Sequence, residues 1–169
     1  GKGLGVHKFD SVQALATHLS SADYAAPIDG LTLVQAYIRA PQPFITRCEF
    51  VGGEFLYALR VNTSDGFELC PADVCTPRSA VCEVDSSGTN IASEKFAVVD
   101  NFSSPLIEQY RHFLRRCDVS VAGIEFIMDE HGTAYTYDVN TNTNYNVAAE
   151  AKTGSSGMVA IAQLLSHTL

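Results

Sequence analysis

The sequence lacks any long apolar run. No stretch approaches the roughly 18 consecutive apolar residues that a membrane-spanning helix needs, so no membrane partner is expected. Intrinsic disorder is not expected either, because 46% of the 169 residues are hydrophobic and only 18% are charged. A chain of this length can bury its own core, and we expect a single domain over residues 1–169.

Basic residues are scarce. Eleven lysines and arginines stand against 19 aspartates and glutamates, which gives a formal net charge of −8 at pH 7. Nucleic-acid binding needs clustered basic side chains to neutralise phosphates, so no nucleic-acid partner is expected. A small anionic ligand held by a local group of backbone amides remains compatible with this charge.

The chain has five cysteines, which is an odd number. At least one thiol is therefore unpaired, which favours a reducing, cytoplasmic compartment. Cys70, Cys75 and Cys82 are close enough in sequence to suggest a zinc-bound interaction module as one alternative. Their spacing lacks the usual Cys-x2-Cys pair, and no histidine follows at a helical interval, so buried or loop thiols are favoured.

Helical and extended patterns follow each other along the chain. Apolar residues recur at helical spacing over 11–20, 105–117 and 155–168. Extended segments are predicted at 31–38, 45–51, 54–61, 67–70, 96–99, 121–128 and 134–139. Hairpin turns are expected at 52–53 and 129–132. The sequence therefore predicts an α+β fold, with a mainly antiparallel sheet and flanking helices.

The strands predicted at 121–128 and 134–139 are each interrupted by a single acidic residue, Glu125 and Asp138. Ionised carboxylates in buried strands need an opposite charge or a cation. Counting outward from the 129–132 turn offsets the two residues by two positions, which keeps them on one face of the sheet, and Asn140 continues that face. Such an oxygen cluster predicts a Mg²⁺ site completed by phosphates. Pairing of the carboxylates with a nearby arginine is the alternative.

The glycine-rich start of the chain adds a candidate anion site. Gly1, Gly3 and Gly5 allow backbone amides to approach an anion closely, and Lys2 adds a positive charge. The pattern is neither a P-loop nor a dinucleotide-binding fingerprint. Together with the carboxylate cluster, it predicts a nucleoside triphosphate held between the two.

These motifs together resemble the C-terminal part of ATP-grasp enzymes, most closely the RimK-type carboxylate–amine ligases. The resemblance is carried by four parts of the chain, which are residues 1–6, residues 33–38, residues 47–60, and the pair 122–125 with 138–142. It implies an ATP-grasp-like fold, with ATP and Mg²⁺ as cofactors and Mn²⁺ as an alternative metal. It also implies that a small-molecule or peptide carboxylate is joined to an amine through an acyl phosphate.

The resemblance further implies roles for individual residues. Glu125, Asp138 and Asn140 would coordinate the Mg²⁺ that bridges the phosphates, with Asp138 in place of the more common glutamate. Arg60 and Arg47 would be the catalytic residues that stabilise the transferred phosphoryl group. Nucleotide contacts would come from Lys2, Gly3, Gly5, Gln35, Ile38 and Gln42.

Members of this family also have an N-terminal domain, and a nucleotide-binding lysine ahead of the glycine loop. We therefore expect the chain to be the C-terminal portion of a longer protein and to be inactive alone. The missing N-terminal domain would be its partner, and a homo-oligomer is also considered. The alternative function is a nucleotide-binding regulatory domain without catalysis.

Overall fold

A computed structural model describes residues 6–64 and 95–167. The glycine-rich loop with Lys2, Gly3 and Gly5 lies outside the described residues. The same is true of the cysteines proposed as zinc ligands and of the predicted 67–70 strand.

Within the described residues, five strands form one antiparallel sheet. They are β1 (Phe44–Val51), β2 (Glu54–Asn62), β3 (Phe96–Val98), β4 (Val121–Met128) and β5 (Ala134–Asn140). Their spatial order is β3-β2-β1-β4-β5, and every neighbouring pair is antiparallel. The predicted α+β class with an antiparallel sheet is confirmed.

The two predicted hairpins are also confirmed. Gly52 and Gly53 join β1 to β2 with φ of 63° and 76°, a backbone conformation that residues with a Cβ rarely adopt. Between β4 and β5, Oδ1 of Asp129 accepts hydrogen bonds from the backbone N–H groups of His131 at 2.9 Å and Thr133 at 2.8 Å. This carboxylate therefore stabilises the turn by accepting hydrogen bonds from the backbone of the turn.

The described helices are α1 (Val12–Leu19), α2 (Leu106–Arg116), α3 (Val147–Thr153) and α4 (Gly157–Ser166). The sequence pattern does not predict α3, which directly follows a polar run and is capped by the side chain of Asn146. Ser156 caps α4 in the same way. None of these helices has both the length and the apolar character needed to cross a membrane.

Side chains alternate between the two faces of the sheet. On one face, Tyr110 and Leu114 of α2 pack against a buried cluster that includes Cys48, Phe50 and Ile124. We call this side the helix face. The opposite side, which carries Glu125, is called the carboxylate face, and there Ala149 of α3 packs near β2.

The strand predicted over residues 31–38 is not formed. Within the described residues no strand pairs with this segment. Its apolar side chains Leu31, Leu33 and Val34 are 76%, 85% and 63% exposed. The prediction was wrong because an apolar composition does not by itself make a strand, which needs a neighbour that completes its backbone hydrogen bonds.

Candidate metal and nucleotide site

Glu125 and Asp138 are direct partners in the β4–β5 register. The sequence count had placed them two positions apart. The register shifts by one residue between Glu125 and Phe126, because Tyr137 is an extra residue in β5. The consequence is that both carboxylates project from the carboxylate face, directly opposite each other.

Asn140 lies on the same face, two residues beyond Asp138, and pairs with Gly123. Its Oδ1 accepts a hydrogen bond of 2.9 Å from the backbone N–H of Asn142, which fixes the orientation of the amide. Glu125 is buried, whereas Asp138 is exposed and Asn140 is half-buried. The three oxygen donors therefore form a cluster that is closed towards β1 and open to solvent at β5.

The donor set fits a hard cation. Two carboxylates and one amide oxygen are the ligand types that Mg²⁺ takes, and Mg²⁺ commonly binds through one or two carboxylates while phosphates or water complete its shell. Among the described residues there is no group of three or more His, Cys, Asp or Glu side chains arranged to hold a metal. Glu125, Asp138 and Asn140 are too few to complete the octahedral shell of Mg²⁺, so these donors fit a cation that arrives with phosphates.

Arg47 is the buried cation next to this cluster. It is the β1 partner of Glu125, and only 3% of it is exposed. Its Nε donates to Oε1 of Glu49 at 2.6 Å, its Nη1 donates to Oε1 of Glu125 at 3.1 Å, and its Nη2 donates to Oγ1 of Thr143. The arginine pairing that the sequence left as an alternative is therefore present for Glu125. Asp138 has no cationic partner among the described residues.

The side chains of this cluster carry more negative than positive charge. Arg47 is surrounded by Glu49 and Glu125, and Asp138 adds a third carboxylate. Burial raises the pKa of Glu125, the Arg47 charge and the Tyr137 hydroxyl oppose this rise, and Asp138 adds to it. Burial likewise raises the pKa of Glu49 against the effect of Arg47. An added divalent cation would relieve this excess of negative charge.

Tyr137 and Arg47 hold Glu125 from two sides. The Tyr137 hydroxyl donates to Oε2 of Glu125 at 2.9 Å, while Arg47 occupies Oε1. Burial and the Glu125 charge raise the pKa of Tyr137, so its hydroxyl remains a donor at neutral pH. Each carboxylate oxygen of Glu125 therefore has one fixed partner.

Sequence reasoning missed three residues of this network: Tyr137, Glu49 and Thr143. Glu49 gave the same signal as Glu125, an acidic residue inside an apolar strand, and it is 1% exposed. Tyr137 gave no signal, because its position depends on the β-bulge. Thr143 gave none either, because it belongs to a polar loop whose path the sequence does not define.

Arg60 lies away from this site. It is the partner of Thr46 in β1 and of Ala97 in β3, which places its side chain on the helix face. Its guanidinium lies 4.6 Å from the ring centroid of Phe44. It lines a shallow pocket of about 300 Å³ together with Gln42, Pro43, Phe44, Asn62 and Ala97. The structure thus brings Arg60 and Gln42 together, but separates Arg60 from Glu125 and Asp138 by the thickness of the sheet.

Gln35 and Ile38, two of the other predicted nucleotide contacts, lie outside the five-stranded sheet. Gln35 is exposed and Ile38 is half-buried, both in the unpaired 31–38 segment. Their predicted nucleotide contacts, and those of the glycine-rich loop outside the described residues, remain predictions.

No protein-family model matches this chain, and no curated protein matches it. Among solved structures, it is similar to the ATP-grasp ligase PsnB, crystallised with a phosphomimetic variant of its minimal precursor, Mg and ADP. The sequence identity is 13% and the TM-score 0.48, over 78% of this chain and 34% of that chain.

Two further structures are similar at the same level. The macrocyclase MdnB from Microcystis aeruginosa MRC has 14% identity and a TM-score of 0.45, over 76% of this chain and 37% of that chain. The RiPP-associated ATP-grasp ligase of Chryseobacterium gregarium, in complex with ADP and a leader and core peptide, has 15% identity and a TM-score of 0.45, over 77% and 35%. This chain spans about a third of the length of these proteins.

Proposed function

We propose that this chain is the C-terminal part of the ATP-grasp region of a Mg²⁺-dependent carboxylate–amine ligase. The observation that carries the proposal is the direct pairing of Glu125 with Asp138, with Asn140 on the same face of the sheet. The order of these residues is also the most specific part of the sequence resemblance to ATP-grasp enzymes.

In this proposal Glu125, Asp138 and Asn140 hold Mg²⁺, and the phosphates of ATP supply further ligands. Mg²⁺ would neutralise negative charge on the phosphates and align them for transfer. Asp138 suits this role because it is exposed and lacks a cationic partner among the described residues. Glu125 suits it because two hydrogen bonds fix its carboxylate in one orientation.

The proposed reaction has two steps. A carboxylate oxygen of the substrate attacks the γ-phosphorus of ATP, and ADP leaves with the electron pair of the broken bond. The amine of the second substrate then attacks the acyl carbon of the resulting acyl phosphate, loses a proton and displaces inorganic phosphate, so that an amide forms. Neither step requires a protein nucleophile, and the chain contributes by binding and orienting the reactants.

The two arginines receive different roles. All three donor groups of the Arg47 guanidinium have partners within the protein, so we assign Arg47 to holding Glu125 rather than to the transferred phosphoryl group. We leave Arg60 out of the phosphate site, because its side chain projects from the helix face.

A trapping assay tests this proposal. The chain, and the longest polypeptide that contains it, are incubated with ATP, Mg²⁺, hydroxylamine as the amine, and a panel of amino-acid and peptide carboxylates. A ligase releases ADP and phosphate only when an acceptable acid is present, and it forms the corresponding hydroxamate. Heavy oxygen from a labelled substrate carboxylate appears in the phosphate, as the first step requires.

The matched control is Asp138→Asn, which should abolish ADP release, phosphate release and hydroxamate formation while the protein stays folded. Nucleotide binding without ADP release, with every acid in both polypeptides, would overturn the ligase proposal in favour of the regulatory-domain alternative.

A further inference from the structure

We propose that Thr143 is a positioning residue that fixes Glu125 for cation binding through Arg47 and Glu49. This inference rests on the proposed function, because it takes Glu125 as a cation ligand. Thr143 itself lies on the polar loop after β5 and is not among the proposed cation ligands.

The Thr143 hydroxyl bridges the two charged side chains of β1. It accepts a hydrogen bond from Nη2 of Arg47 and donates one of 2.9 Å to Oε2 of Glu49. Because Nε of Arg47 also binds Glu49, the three side chains form a closed ring of hydrogen bonds. The loop that follows Asn140 is thereby attached to the buried strand β1.

Arg47 has little room to adopt another position. A Cβ atom built on Gly123 would lie 2.6 Å from Nη2 and 2.9 Å from Cζ of Arg47, so the guanidinium lies directly against the backbone of β4. The only donor group of Arg47 that faces Glu125 is Nη1, at 3.1 Å. A displacement of the guanidinium therefore changes the position of the Glu125 carboxylate.

Loss of the Thr143 hydroxyl would leave Nη2 of Arg47 and Oε2 of Glu49 without this partner in a buried site. The guanidinium then gains from turning towards other acceptors, and Glu125 loses its fixed orientation. Removal of a group that orients a metal ligand typically weakens metal binding by about 10–100-fold. We expect an effect at the lower end of that range, because Thr143 acts on Glu125 through Arg47 and does not contact the ligand itself.

The test uses the longest polypeptide that contains this chain and measures Mn²⁺ binding in the presence of ADP, by the electron paramagnetic resonance signal of free Mn²⁺. Thr143→Val keeps the shape of the side chain and removes the hydroxyl, and should weaken Mn²⁺ binding by about 10-fold or more. Thr143→Ser keeps the hydroxyl and should bind Mn²⁺ like the wild type. Thr17→Val changes an exposed threonine of α1, away from this network, and should have no effect.

A second variant, in β4, perturbs the same hydrogen-bond network of Arg47, Glu49 and Thr143. Gly123→Ala forces the Arg47 guanidinium away from the strand and should weaken Mn²⁺ binding in the same direction. If Thr143→Val fails to fold by circular dichroism, Gly123→Ala and Thr143→Ala decide the outcome.

The possible results separate this inference from the proposed function. Absence of Mn²⁺ binding in the wild type, or its persistence in Asp138→Asn, overturns the cation site and this inference with it. Binding that is lost in Asp138→Asn but unchanged in the folded Thr143 and Gly123 variants overturns the positioning role alone. A lower melting temperature of Thr143→Val with unchanged Mn²⁺ affinity assigns Thr143 a purely structural role, which also overturns the inference.

Discussion

Glu125 and Asp138 face each other across β4 and β5 because Tyr137 is an extra residue in β5. Like charges directly opposite each other in an antiparallel pair destabilise the sheet. The same bulge provides the Tyr137 hydroxyl that binds Glu125, while Arg47 compensates only the inner carboxylate. A local arrangement that opposes stability in this way is characteristic of a functional site.

We expect Asp138→Asn to stabilise the protein slightly and to abolish Mn²⁺ binding. Asp138 raises the pKa of Glu125, so its removal relieves a like-charge contact, by about 0.5 kcal/mol for a cross-strand pair. Urea unfolding measures the free energy, and the Mn²⁺–ADP titration measures binding. The control Asp23→Asn alters an exposed aspartate of the N-terminal region. A variant that is less stable, or that still binds Mn²⁺, would contradict the assignment.

The sequence predicted the strands well, because alternation and turn residues act locally. The predicted bounds of β1, β2, β4 and β5 differ from the observed ones by at most one residue at either end. Glu125 was found because a carboxylate inside an apolar strand needs a partner. The identity of that partner, Arg47, depends on which strands become neighbours, and no local pattern in the sequence encodes this.

The errors have the same origin. A one-residue bulge changes every pairing beyond it, so the count from the 129–132 turn could not give the register of Asp138. The catalytic role predicted for Arg60 is a separate matter and stays a prediction, because the structure gives only the face of its side chain, which the position of β2 in the sheet and its register decide. The apolar segment 31–38 has a strand-like composition, yet within the described residues it has no neighbouring strand.

The two arginines of β1 and β2 should differ strongly in their effect on stability. Arg47→Ala leaves Glu49 and Glu125 buried without their cation, which typically costs about 3–5 kcal/mol. Arg60→Ala removes an exposed side chain stacked on Phe44, which costs at most about 1 kcal/mol. Urea unfolding at neutral pH compares the two variants. Equal losses would show that the Arg47 cluster is far weaker than its burial and contacts indicate.

Tyr137→Phe should make cation binding more sensitive to acid. The Tyr137 hydrogen bond lowers the pKa of Glu125, so its loss raises that pKa further above the ordinary value of 4.5. A cation binds the ionised form of the carboxylate. As the pH falls, the variant should therefore lose Mn²⁺ binding at a higher pH than the wild type does. Mn²⁺ titrations at several pH values measure the shift of the midpoint. Tyr24→Phe, away from the sheet, is the control, and identical midpoints for Tyr137→Phe and the wild type would contradict the role of Tyr137.

The Asp129 carboxylate should stabilise the β4–β5 turn only while it is ionised. Hydrogen bonds from the backbone N–H groups of Thr133 and His131 lower the pKa of Asp129 below the ordinary value of 3.8. A carboxyl group with a lowered folded-state pKa contributes stability above its unfolded pKa, and this contribution is lost as the pH falls through the folded pKa. Asp129→Asn keeps an acceptor oxygen but not the charge, so it should be less stable than the wild type at about pH 7.

The difference between Asp129→Asn and the wild type should then shrink below about pH 4, as the wild-type carboxylate is protonated. Urea unfolding of both proteins across this range measures it, and a difference that does not change with pH would contradict the prediction.

The turn also matters for the site, because a slip of one residue in the β4–β5 register would move Asp138 to the helix face. Asp129→Ala, which removes the acceptor as well, should therefore weaken Mn²⁺ binding more than Asp129→Asn does. Equal Mn²⁺ affinities in the two variants would separate the stability of the turn from the geometry of the cation site.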